Sequence, residues 1–137
     1  MSTRRQDNRI PGYRAYGGVL MVATLLNQKR RAYTMVDSGA AYCRITPEMA
    51  RLLGYDLHRP MARRSIAGVQ GVEAEVPSFR LQSLQVEGVI VQALEVLVVP
   101  FSPQLRIDEV LGVNFLERFC STFDFDTAML TLRARSV

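Results

Sequence analysis

The stretch that most constrains this chain is YTMVDSGAAYCRI, residues 33–45. Mostly apolar residues run into Asp37; Ser38, Gly39 and Ala40 follow, and a lone Arg44 stands before Ile45. Apolar flanks on both sides describe a buried strand ending in a tight turn inside the fold, where solvated loops do not normally go. Gly39 gives such a turn backbone freedom and lets another backbone approach closely. Ser38 is short enough to bond nearby main chain instead of filling the core. A carboxylate isolated in so apolar a segment is costly unless it is paired or used. Asp-Ser-Gly is also a common hairpin tip, and the rest of the chain has to decide between the two.

At 137 residues the chain makes one domain. A hydrophobic content of 48% is enough for a real core and excludes general disorder. The formal net charge of +4 comes from sixteen arginines and one lysine set against 13 acidic residues. The cations are scattered, with Arg4, Arg5, Arg9 and Arg14 first, then Lys29 to Arg31, then Arg63 and Arg64. No aromatic residues interleave with them as a stacking platform requires, so they read as solvated loops and not as a nucleic-acid face. A basic nucleic-acid-associated domain would instead bind with steep salt dependence.

Cys43 and Cys120 are too few for a disulfide scaffold and lack metal-ligand spacing. His58 is the single histidine, which leaves little for a zinc site or for a Ser-His or Cys-His triad. Neither metal nor cofactor is expected. Cys43, without a histidine in its segment, reads as a small buried residue and not a nucleophile. The N-terminus lacks a signal-type apolar core, and the longest apolar run, Gly18 to Leu26, is too short to span a bilayer. The expectation is a cytoplasmic protein with no membrane partner.

Residues 1–12 are polar and basic and end at Pro11-Gly12, which predicts a flexible arm ahead of a domain over 13–137. Gly18–Leu26 and Ala32–Val36 read as strands of a hairpin around the polar turn Asn27–Arg31. Thr46-Pro47-Glu48 starts a helix with Thr46 as N-cap; Met49, Leu52 and Leu53 form its apolar face, and Gly54 stops it. Residues 57–64 read as irregular. Ser65–Val76 carries Gly68 and Gly71 three apart, either a mobile hairpin tip or a plain exposed turn. Phe79–Val99 alternates as two or three strands, and Pro100 and Pro103 break the pattern. Ile107–Phe119 reads as a strand into Gly112 and a short helix with Phe115, Leu116 and Phe119 on its apolar side. Phe123–Leu132 is a hairpin turning near Asp126-Thr127. The chain is thus mainly β with two short helices.

In this order the pieces resemble the retropepsin-like aspartic proteases, the family of the retroviral proteases and their bacterial relatives. VDSGA (Val36 to Ala40) resembles the catalytic Asp-Thr/Ser-Gly-Ala loop, and IAGVQG (Ile66 to Gly71) the glycine-rich flap. VLGVNFL (Val110 to Leu116) is similar to the strand-Gly-x-Asn-helix segment that packs under the catalytic loop, and CSTFDF (Cys120 to Phe125) to the late strand. The likeness covers roughly Gly18 to Leu132. It implies a single-lobe acid-protease fold, a closed, orthogonal β-barrel-like body.

The implied activity is aspartic endopeptidase, with one carboxylate activating water and a second, protonated, donating to the peptide carbonyl. The chain carries one Asp-Ser-Gly, so the resemblance implies a homodimer with Asp37 beside its own copy. Asp108 is followed by Glu109, not by Ser/Thr-Gly, and Asp124 and Asp126 sit in a terminal hairpin; none suits a second acid. By position, Ser38 would bond across the two-fold axis and Gly39 and Ala40 would support the loop. Ala67, Gly68, Val69, Gln70 and Gly71 would form the flap over an extended peptide, and Leu111, Gly112 and Asn114 would lie beneath the loop. Met35, Tyr42, Val69 and Leu111 are candidates for side-chain pockets. Where retroviral proteases pair an Asp with an Arg, this chain has Ala41 and Val113, a paired loss that implies a coherent alternative packing and leaves the family's dimer contacts open. The alternative to an enzyme is a non-cleaving retropepsin-like module for dimerisation or peptide binding.

Overall fold

The computed structural model describes residues 6–67, 71 and 73–135. Its first hairpin joins β3 (Val19–Leu26) to antiparallel β4 (Arg30–Val36). Asn27 and Gln28 both have positive φ, 52° and 55°, and Lys29 N–H bonds Leu26 C=O at 2.9 Å. A two-residue turn with both central residues left-handed matches the natural twist of its strands. The turn is pinned from outside, because Asn27 Oδ1 accepts from Gln82 N–H at 2.7 Å and its amide donates to the Tyr55 hydroxyl at 2.9 Å.

The remaining strands are β1 (Asp7–Pro11), β2 (Tyr13–Ala15), β5 (Cys43–Ile45), β6 (Ala62–Ala67), β7 (Glu73–Val86), β8 (Val89–Val98), β9 (Glu109–Leu111), β10 (Phe119–Asp124) and β11 (Met129–Ala134). Eight form one sheet in the order β2-β3-β4-β9-β5-β8-β7-β6, and β3 also pairs with β7 through Leu25↔Gln85 and Leu26↔Leu84. That extra pairing returns the sheet on itself through β3, β4, β9, β5, β8 and β7. Most neighbours are antiparallel, but β9 runs parallel to β4 and β5 runs parallel to β8.

Among the described residues two helices complete the fold, α1 (Pro47–Leu52) and α2 (Val113–Leu116). The first starts as its sequence dictates, with Thr46 Oγ accepting from Met49 N–H at 3.1 Å. Gly54 follows it at φ +92°, a conformation that favours glycine.

Alternation puts successive residues on opposite faces of each strand. Leu20 and Val22 of β3, Cys43 and Ile45 of β5 and Leu111 of β9 point into the main core with Leu81, Leu84 and Phe115. Val19 and Met21 of β3, Met35 of β4 and Val110 of β9 point the other way, into a smaller cluster with Ala40 and Ile107. The central strands are therefore covered on both faces.

Two expectations change. Residues 7–11 are not a free arm: β1 pairs with β11, and Ile10 is 1% exposed. Its burial outweighs the polar composition that suggested an arm. Residues 62–64, read as irregular, open β6, whose arginines face solvent. Phe79–Val99, read as two or three strands, is two, because Glu73–Val86 is one 14-residue strand and Val89–Val98 is the next. Phe123–Leu132 does turn as a hairpin, with Asp124 Oδ1 accepting from the backbone N–H of Asp126 and Thr127 at 3.0 and 3.2 Å.

Candidate active site

Asp37 sits where β4 leaves the sheet. Its N–H bonds Leu111 C=O at 3.0 Å, so the parallel pairing of β4 with β9 continues to the aspartate itself. Its carboxylate accepts Gly39 N–H at 2.8 Å, and Ala40 N–H closes the turn onto Asp37 C=O at 3.2 Å. Asp37 is half-buried, Ser38 and Gly39 are exposed, and Ala40 is buried. The Ser38 hydroxyl makes no hydrogen bond among the described residues. Glycine at 39 answers to space and not to a left-handed backbone, because a Cβ there would stand 3.1 Å from the Asp37 Oδ1 that its own N–H binds.

Beneath the loop, Gly112 is enclosed on all sides. A Cβ on it would fall 2.6 Å from the Tyr42 carbonyl oxygen and 2.7 Å from that of Ala40. Val113 N–H reaches Ala40 C=O at 2.7 Å, and Asn114 N–H reaches Ala41 C=O at 3.1 Å. Asn114 then ties three segments together: its Oδ1 accepts Cys43 N–H at 2.8 Å, and its amide donates to Glu95 C=O at 2.7 Å. Ala41 and Val113, where an ion pair was missing, are joined to this web through backbone bonds of their segments. Leu111, offered as a pocket residue, is fully buried in the main core instead; its neighbour Val110 takes the opposite face. Alternation along β9 decides that difference.

Cys43 is enclosed as well. Its Sγ accepts Gly112 N–H at 3.3 Å, and burial, with Glu109 nearby, pushes its thiol up to about 12. A thiol that stays protonated is not a nucleophile.

Other carboxylates are committed elsewhere. Asp108 accepts Tyr33 N–H at 2.9 Å and donates its own N–H to Tyr33 C=O at 2.8 Å, at the middle of β4, four residues before Asp37. Glu109 is wholly buried, with Oε1 accepting both threonine hydroxyls, Thr24 and Thr34, at 2.8 Å. Its Oε2 has no partner among the described residues, and desolvation raises its carboxyl to about 7 against the pull of those hydrogen bonds. No hydrogen bond joins Asp37 to a second carboxyl among the described residues. Sequence reasoning passed over Glu109, because a glutamate after an aspartate at a strand entrance looks solvated.

Of the expected flap, Ala67 ends β6 opposite Glu73, the first residue of β7, and Gly71 has φ +74°. Gly68, Val69 and Gln70 lie outside the described residues.

The register places one residue from each of the eight strands in a single row on the face that holds Met35. Its order is Tyr13, Met21, Met35, Val110, Arg44, Leu97, Ser78 and Ala62. Asp37 follows Met35 by two residues. Beside this row, Arg64 binds both oxygens of Glu95 at 2.8 and 3.1 Å, and Ser78 donates to Glu95 at 2.5 Å. Arg64, with Ser78 adding to it, holds the Glu95 carboxyl below its ordinary range despite partial desolvation.

The family model described as gag-polyprotein putative aspartyl protease matches residues 22–118, more than half of the chain. Among solved structures, a retropepsin-like aspartic protease from Rickettsia conorii is 26% identical, with a TM-score of 0.74 over 98% of this chain and 97% of that one. The retroviral protease-like domain of Ddi1 from Leishmania major is 19% identical, with a TM-score of 0.59 over 87% of this chain and 94% of that one, a likeness of fold alone. No curated protein matches the sequence.

Proposed function

The chain belongs to the gag-polyprotein aspartyl proteases, retropepsin-like in family and fold, and from that premise we propose that it is a homodimeric aspartic endopeptidase whose catalytic residue is Asp37. Two copies of Asp37, one per subunit, hold a water between them. One carboxylate takes a proton from the water as it attacks the peptide carbonyl, and the other, protonated, donates to the developing oxyanion. Two like charges held close together cannot both ionise, so the pair shares one proton, as in aspartic proteases generally. The β6–β7 hairpin closes over an extended peptide, which binds by main-chain pairing with alternate side chains in pockets. Closure expels water from the dyad.

One observation carries this reading. Asp37 is fixed at its base by Leu111 C=O and at its carboxylate by Gly39 N–H, while the exposed Ser38-Gly39 edge of the loop stays free. A loop so held, with no second carboxyl bonded to it, supplies half of a dyad and a surface for the other half. The Ser38 hydroxyl is then the group that bonds across the axis.

The test is cleavage of a mixed peptide library by wild type and Asp37→Asn, from acid to neutral pH, read by mass spectrometry. Cleavage is expected to vanish in the variant and to fall on dilution as dimers dissociate. No cleavage by a demonstrably dimeric wild type would overturn the enzyme and favour a peptide-binding module.

A further inference from the structure

Arg44 is the one charged residue in the row that crosses the sheet on the Asp37 face. Val110 of β9 and Leu97 of β8 flank it across the two neighbouring strands, and both are buried. Its Nε is itself buried without a hydrogen-bond partner, and no ion pair among the described residues engages its guanidinium. A buried N–H left unpaired costs free energy that a packed apolar side chain would not. Glu95, the carboxylate on the same face of β8, is already taken by Arg64 and Ser78. The guanidinium therefore carries a buried donor, Nε, with no acceptor among the described residues.

We propose that Arg44 is a substrate-recognition residue that binds the carboxylate of an Asp or Glu in an extended acidic peptide. The inference rests on the proteolytic reading above, whose scissile bond lies at Asp37. Arg44 stands two strands over from Met35, about 10 Å, and Met35 is two residues short of Asp37, about 7 Å along the strand. The resulting separation of about 12 Å equals about three residues of extended peptide, so the acidic side chain falls within about three residues of the cleaved bond. Arginine suits this task because its planar fork meets a carboxylate bidentately and stays charged throughout the working range. Apolar neighbours strengthen that pairing by keeping water away.

The experiment uses matched peptides carrying Glu, Gln or Lys at each position within three residues of a mapped cleavage site, with wild type, Arg44→Met and Arg44→Glu. For wild type, kcat/KM at one position is expected to favour Glu over Gln by about tenfold or more. In Arg44→Met that ratio falls to near one, and in Arg44→Glu the preference moves to Lys. Thermal melting and sedimentation establish that each variant is folded and dimeric. Equal ratios in wild type and Arg44→Met would overturn the proposal, as would a variant whose only change is loss of the dimer, since Arg44 would then serve a subunit contact. If wild type cleaves nothing, the proteolytic reading fails separately. Fluorescence anisotropy of the labelled Glu and Gln peptides on wild type and Arg44→Met then decides the subsite, with a Glu preference lost in the variant supporting it and none in wild type overturning it.

Discussion

Glu109 and Arg44 lie on adjacent strands, one residue apart in register, and face opposite ways. Each has one buried polar atom without a partner. Glu109 points into the closed core, where Thr24 and Thr34 satisfy one oxygen and nothing reaches the other. Arg44 points to the face that bears Asp37, among Met35, Val110 and Leu97. The same imbalance has different consequences on the two sides. In a dry core an unpaired carboxylate oxygen is met by taking up a proton, so it acts on stability. On the face that bears Asp37, the unpaired guanidinium of the half-buried Arg44 is met by a ligand, so it acts on selectivity.

Substitutions on the two faces should separate these effects. The largest lies on the closed side: Gly112→Ala drives a methyl into the carbonyl oxygens of Tyr42 and Ala40, and should cost on the order of 4 kcal/mol. Urea unfolding at fixed protein concentration measures it, and a cost below about 1 kcal/mol would mean that the loop yields easily.

Next comes Glu109. Its folded carboxyl, near 7, stands above the ordinary value of 4.5, so the folded state holds the proton more tightly. Stability from this group is therefore complete below about pH 4.5 and declines as pH rises to about 7, by about 3 kcal/mol over that window. Asp7 and Asp124, whose carboxyls are lowered, by the Arg133 hydrogen bond and by Thr127 respectively, act in the opposite sense and only at acid pH. Unfolding at pH 5 and pH 7.5 should show wild type weaker at the higher pH and Glu109→Gln nearly flat. An equal slope in both would remove Glu109 from the account.

Asn114→Ala should cost about 2 kcal/mol, because it strands Cys43 N–H and Glu95 C=O together. If Asp37 is catalytic as proposed, activity should fall further than stability does, since the same bonds seat the Asp37 loop; comparing kcat/KM with the unfolding midpoint tests that. The smallest effect on stability belongs to Arg44→Met, within about 0.5 kcal/mol, because the unpaired Nε is lost along with the charge. A loss of several kcal/mol would place Arg44 in the scaffold and not on a binding face.

The turn that carries Asp37 was legible because its signals are local. Apolar residues, Asp-Ser-Gly and a helix start at Thr46 fall within fourteen residues, and each acts over a turn or two. The two faces were not legible, because they depend on which strands meet. Arg44 becomes distinctive only when β5 is placed between β9 and β8, whose residues paired with it, Val110 and Leu97, lie more than fifty positions later. Leu111 and Met35 look alike as pocket candidates until the parallel register of β4 and β9 sets Val110, not Leu111, beside Met35. The N-terminal strand escaped for a related reason: Asp7–Pro11 has one buried residue, Ile10, and its partner is at the other end of the chain.

The central claim, a dyad shared between two subunits, is tested most directly by mixing. Wild type and Asp37→Asn are unfolded together, refolded at fixed total concentration in varied ratio, and assayed on one peptide. If both carboxylates are required and come from different subunits, activity follows the square of the wild-type fraction, falling to about one quarter in an equal mixture. Activity in simple proportion to wild-type content, about one half at the same point, would mean that each chain acts with its own Asp37 alone.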